Sequence, residues 1–125
     1  MSLLFVDGFD HYVTADSLKK WTSEGSGYAI TGAAGRRGTA GVVFSTSRWL
    51  GKTLPSSYST IIVGMAYKPT SALPSSHRAM LELYDSSTLH VALFVNYSTL
   101  QLEIYRGATY VAQSTSSLSV DTWHY

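Results

Sequence analysis

Residues 79–113 read AMLELYDSSTLHVALFVNYSTLQLEIYRGATYVAQ, and the alternation in this stretch decides the fold class. Followed through each turn, Leu81, Leu83, Leu89, Val91, Leu93, Val95, Leu100, Leu102, Ile104 and Val111 fall on one face of four consecutive strands. The other face collects Glu82, Tyr84, His90, Phe94, Asn96, Gln101, Glu103, Tyr105 and Tyr110. A sheet with one apolar side must cover it with a second layer, whereas a side of aromatics, amides and carboxylates can meet solvent, a sugar or another protein.

The turns set the register. Arg106-Gly107-Ala108-Thr109 fits a two-residue hairpin loop with glycine first, which places Ile104 opposite Val111 and Tyr105 opposite Tyr110. A two-residue loop drawn from 96–99 keeps the aliphatic residues of its two strands on one side; a slip by one would turn them all over. The Asp85-Ser86-Ser87-Thr88 turn needs a three-residue loop to do the same. This register buries Leu81, Leu83, Val91, Leu93, Leu102 and Ile104 together and keeps Glu82 and Glu103 out of that core.

Working outward, Leu3–Val6 reads as a short strand ending at Asp7-Gly8, and 14–21 as a brief helix capped by Thr14 or Asp16 with Lys19 and Lys20 near its end. Residues 23–41 form a loop with glycine at 25, 27, 32, 35, 38 and 41. It lacks the Gly-Lys-Ser/Thr ending of a phosphate loop and runs into a strand at Gly41-Val42-Val43-Phe44 rather than a helix. Residues 60–68, TIIVGMAYK, are apolar on both faces, the mark of a covered central strand. Pro69 to Ser76 is a loop, and Leu118 to Tyr125 a turn followed by the start of another strand.

A length of 125 residues, 45% of them hydrophobic, suits one domain, 1–125. A formal charge of +1 offers no bulk attraction to nucleic acid or anionic membrane. The absence of cysteine excludes disulfides and thiolate chemistry. Met1–Val6 is too short for a membrane span and lacks the basic start of a signal peptide. Asp7, Asp10 and His11 could offer ligands to calcium, but turn capping explains them better, so no metal or cofactor is expected. Arg36, Arg37 and Arg48 read as solvated or protein-contact charges. The Asn96-Tyr97-Ser98 sequon has no weight without a secretory signal.

The opening LLFVDGFDHY, KKW at 19–21, GRRGTAG at 35–41, TIIVGMAYK, LELYDSSTLHVALFVN and the closing YRGATYVAQSTSSLSVDTWHY together resemble bacteriophage virion proteins with a concanavalin A-like lectin/glucanase jelly roll, akin to laminin G-like domains. The resemblance implies an all-β, antiparallel jelly-roll-like β-sandwich. In such domains the position of Trp123-His124-Tyr125 begins a strand followed by a hairpin and a returning strand. The sandwich is therefore expected to be incomplete at its C-terminus, either as a fragment or as a chain completed by another, with Trp123, His124 and Tyr125 in an interface.

Three functions follow from the resemblance and the aromatic face. The first is a non-enzymatic structural protein of a tail, tail fibre or surface appendage, assembled in the host cytoplasm into the virion with other subunits or copies of itself. The second is a carbohydrate-binding module for host surface glycans. In it Tyr84, His90, Phe94, Tyr105 and Tyr110 stack on sugar rings while Asn96, Gln101 and Glu103 bond hydroxyls. The third is a glycan hydrolase using Glu82 and Glu103 in one row across an intervening strand, roughly 9 to 10 Å apart at the backbone. The family's glucanases carry Glu-x-Asp-x-x-Glu on one strand, and here Tyr84 stands where the aspartate belongs. The structural, non-enzymatic reading is preferred.

Overall fold

The computed structural model describes residues 3–36, 38–44, 48–70 and 77–125. Arg37 and most of the expected proline loop lie outside these. The chain is all-β with antiparallel sheets, as the alternation required and in keeping with a β-sandwich. Its contacts divide into two compact units, Met1–Thr60 and Ile61–Tyr125.

In the first unit a 3-10 helix, Thr14–Lys19, precedes β1 (Ser23–Glu24), β2 (Tyr28–Thr31), β3 (Gly41–Phe44) and β4 (Leu50–Gly51). β1 pairs with β4 and β2 with β3. The expected loop over 23–41 thus contains two strands, because Tyr28-Ala29-Ile30-Thr31 finds a partner in Gly41–Phe44. The turn between them is tight: a side chain at Gly35 would stand 2.4 Å from the Ala40 carbonyl oxygen, so only glycine fits.

Neither expected cap forms in this unit. Val13 occupies the N-cap position without a side-chain bond, and the Thr14 hydroxyl instead accepts the Ile30 N–H at 2.8 Å. Leu3–Val6 forms no strand, since it pairs with nothing among the described residues. Its Phe5 packs edge-on against Trp21, while the carboxylate of Asp7 gathers the Phe9 N–H, the Trp21 indole N–H and the Tyr12 hydroxyl. A second polar knot joins buried Ser17 to Glu24 and Tyr28.

The second unit is a meander in which β5 (Arg78–Asp85), β6 (Thr88–Asn96), β7 (Gln101–Arg106) and β8 (Thr109–Ser117) lie side by side in chain order. Cross-strand partners share a face, and the rows Leu81, Leu93, Ile104 and Leu83, Val91 and Val95, Leu102 bear out the common apolar side. The last hairpin closes over Gly107-Ala108 with Gly107 at φ +58°, and Tyr105 faces Tyr110 as expected.

The other turns reach the expected pairing by different means. Ser86-Ser87 is a two-residue loop, not three, with Ser86 at φ +55°. The register it sets is one out for the leucines, and a bulge restores it: Tyr84 faces Leu89, Leu83 faces Val91, and His90 has no opposite number. Leu89 therefore crosses to the aromatic face. At the next turn Asn96 faces Gln101 and four residues lie outside the ladder. The Asn96 side chain accepts from the Ser98 N–H and hydroxyl, and the Leu100 N–H closes onto the Asn96 carbonyl at 2.7 Å. Leu100 sits in this turn at φ +58°, off the apolar face. A bulge at Val111 sets Ala112 rather than Val111 opposite Ile104.

Burial departs from the expected core. Val95 and Ala92 are fully covered, the leucines of the apolar face are half-buried, and Val91 and Ile104 are exposed at 39% and 45%. Glu103 lies off the leucine face as expected, opposite Phe94, yet it is among the most buried residues, because its carboxylate is enclosed by its own hydrogen-bond donors. The segment 60–66 is exposed, without regular secondary structure and outside the described sheets; Tyr67 beyond it makes a single bridge, to His124. A strand exists by pairing, and among the described residues 60–66 has no ladder partner, so the expected central strand does not form. The strand expected near the C-terminus likewise reduces to that one bridge.

Candidate functional site

The aromatic face of the meander is organised around Glu103. β7 presents Glu103 and Tyr105 two residues apart on one side, and β6 places Phe94 opposite Glu103 and Ala92 opposite Tyr105. Ala92 is small, so the tyrosine lies over it and meets Phe94 edge-on at 5.2 Å and Tyr110 edge-on at 5.7 Å. Phe94, Tyr105 and Tyr110 thus form a run of rings across three strands.

Glu103 accepts three bonds. Asn96 Nδ2 donates to Oε1 at 2.9 Å, the Tyr105 hydroxyl donates to Oε2 at 3.1 Å, and His77 Nε2 stands 3.1 Å from Oε2. The Asn96 bond first, then those of Tyr105 and His77, hold the carboxyl below the usual glutamate range against the opposing effect of desolvation. Burial and the facing carboxylate push the Tyr105 hydroxyl up. Glu103 is thus a fixed anion, and Tyr105 a neutral donor, throughout the physiological range. Beside them lies an open groove of about 350 Å³ lined by His77, Leu89, Phe94, Tyr105, Gly107 and Ala108.

Of the eight sugar-contact candidates, six gather here. Phe94, Asn96, Glu103, Tyr105 and Tyr110 are linked as described, and Gln101 joins through a 2.9 Å bond from Gln113 Nε2. Tyr84 lies on the same face toward the far end of β5, where its hydroxyl donates to Glu82 at 3.3 Å. His90 is the bulge residue and does not line the groove, where Leu89 stands instead. His77 was not foreseen. Extending the pairing of Arg78 with Val95 by one residue sets it opposite Asn96, a position that depends on a bulge at Met80 that no glycine or proline marks.

Glu82 and Glu103 are not in one row. Glu82 aligns with Ala92 and Tyr105, whereas Glu103 aligns with Phe94. The offset of two residues along the strands widens their backbone separation to roughly 11 to 12 Å, against the roughly 9 to 10 Å of a shared row. A carboxyl with a lowered pKa is also the opposite of a general acid, whose proton must be retained near neutrality.

At the C-terminus, Trp123 is half-buried with Lys68 Nζ 5.8 Å from its ring, and His124 Nε2 lies 3.1 Å from both the Ser119 N–H nitrogen and carbonyl oxygen. Tyr125 is 77% exposed. Asp7, weighed as a calcium ligand, is instead enclosed by Tyr12, Trp21, the Phe9 N–H and Lys20. Desolvation works to raise its pKa, and these partners together hold it lower. Among the described residues no helix is long and apolar enough to cross a membrane. Comparison of the chain with protein-family models, with curated proteins and with solved structures returns no match.

Proposed function

We propose that this chain is a non-enzymatic structural subunit of a bacteriophage tail, tail fibre or other appendage, working through contacts with further subunits of the virion. The observation that carries the assembly reading is the apolar side of the meander. Val91 and Ile104 are exposed at 39% and 45%, and Leu81, Leu83, Leu93 and Leu102 beside them are only half-buried. Beyond the sheet Ile61, Ile62, Val63 and Met65 are exposed as well. A protein displaying so much aliphatic surface gains by covering it with another. The phage setting comes from the sequence resemblance alone. Sedimentation at micromolar concentration tests assembly, with a monomer that binds no hydrophobic dye as the refuting result. Mass spectrometry of purified particles tests the setting, which fails if the chain is absent from them.

A second reading, recognition of a host glycan, is favoured by the run Phe94, Tyr105, Tyr110 beside Asn96, Gln101 and Glu103. Flat rings flanked by fixed acceptors and amides match the division of labour in sugar sites. Calorimetric titration with oligosaccharides checks it: binding by the wild type should vanish in Tyr105→Ala, and equal heats from both would dismiss this face as the site.

A further inference from the structure

We infer that residues 60–66 are a donor strand, which pairs with the open edge of β8 in a second copy of the chain. This rests on the assembly reading proposed above and names the elements that would carry it. The sequence TIIVGMA has the β-branched, uncharged composition of an interior strand, yet the segment takes part in no sheet among the described residues. Ile62 is 73% exposed. A strand former whose backbone groups lie outside any ladder needs an edge.

The chain also presents an edge that needs a strand. β8 is the last strand of the meander, and its outer side has no neighbour among the described strands. Edges are ordinarily protected by charge or proline, and Thr109–Ser117, TYVAQSTSS, contains neither. The opposite edge, β5, carries Arg78, Glu82 and Asp85; both edge strands are bulged, β5 at Met80 and β8 at Val111, so charge is what separates them. An uncharged donor of seven residues therefore fits the uncharged nine-residue β8 better than β5, with no ion left opposite an aliphatic side chain. Donor and acceptor are different surfaces of one chain, so the contact is head-to-tail and can be repeated around a ring or along a fibre.

The chain has no cysteine, so single thiols can be introduced cleanly. Ile62→Cys chains are mixed with Ala112→Cys chains and treated with a short bifunctional maleimide, and wild-type sedimentation is run beside them. The expected result is an assembled wild type and a covalent dimer containing one chain of each kind. Val63→Pro, which removes a backbone donor from the unpaired segment, should weaken self-association by about tenfold, the worth of one ladder bond, and leave the melting curve of the unassociated chain unchanged. Assembly without the mixed link, or with Ala112→Cys linked only to itself, overturns the donor strand and leaves the assembly reading standing. A double variant that closes within one chain at high dilution overturns it too, since 60–66 would then be folding onto its own sheet. A monomeric wild type overturns the donor strand, and removes the assembly reading as well where it binds no hydrophobic dye.

Discussion

Valines 91, 95 and 111 allow one substitution to be compared at three depths in the same sheet. The alternation puts all three on the apolar side, whereas the structure gives Val95 no exposure, Val91 39% and Val111, at its bulge, 57%. Valine to alanine removes two methyl groups, about 1.6 kcal/mol of transfer free energy when fully buried. At Val95, in the interior strand β6 and facing Leu102, a cavity adds to this, for about 2 to 3 kcal/mol in all. At Val91 the exposed fraction brings the loss to about 1 kcal/mol, and at Val111 to about 0.7 kcal/mol, with no closed cavity at either. The loss of β-branching is common to the three and largely cancels in the comparison. Urea unfolding followed by circular dichroism, at one protein concentration, gives the order directly. A cost at Val91 or Val111 equal to that at Val95 would mean that the whole face is a covered core and that this account of burial is wrong.

Other expectations can be checked in parallel. Both Asp7 and Glu103 have folded pKa values below their unfolded ones, so each contributes stability that is present above the unfolded pKa and is lost as pH falls through the folded one. The urea midpoint should thus drop between about pH 6 and about pH 3, and the drop should shrink in Asp7→Asn and Glu103→Gln; equal drops in all three proteins would contradict the assigned partners. Gly35→Ala meets backbone oxygen at 2.4 Å and should cost about 2 kcal/mol or more, whereas Gly32→Ala meets nothing within 4 Å and should be neutral or slightly stabilising in a thermal melt. Gly107→Ala places a side chain at φ +58° and should cost about 1 to 2 kcal/mol by urea unfolding; an unchanged midpoint would reject that turn.

The meander was legible because period-two alternation survives in the sequence and because Gly107 marks its turn chemically. The bulges were not, since His90, Met80 and Val111 are ordinary strand residues and nothing local distinguishes them from their neighbours. That one blind spot explains most of the misplaced residues: Leu89 on the wrong face, Val111 opposite the wrong partner, and His77 unseen beside Glu103. The burial of Glu103 escaped notice for a different reason. A carboxylate is taken as exposed until its donors are known, and here Asn96 comes from β6, Tyr105 from β7 itself and His77 from the residue before β5. For 60–68 the composition was read correctly as strand-forming; whether a strand forms depends on an edge, which composition does not supply.

The Ser86-Ser87 turn and the His90 bulge have a consequence for how this protein can vary in length. Together they deliver Leu83 to Val91 with one residue fewer in the loop and one more in the strand than a plain hairpin would use. The pairing depends only on their combined length. Insertion of one residue after Ser87 with deletion of His90 should therefore leave every leucine in place. Either change alone would turn one side of the hairpin over. Related chains could thus carry gaps of opposite sign a few positions apart in this hairpin, and an alignment that scored each gap separately would count two disruptions where the fold has none.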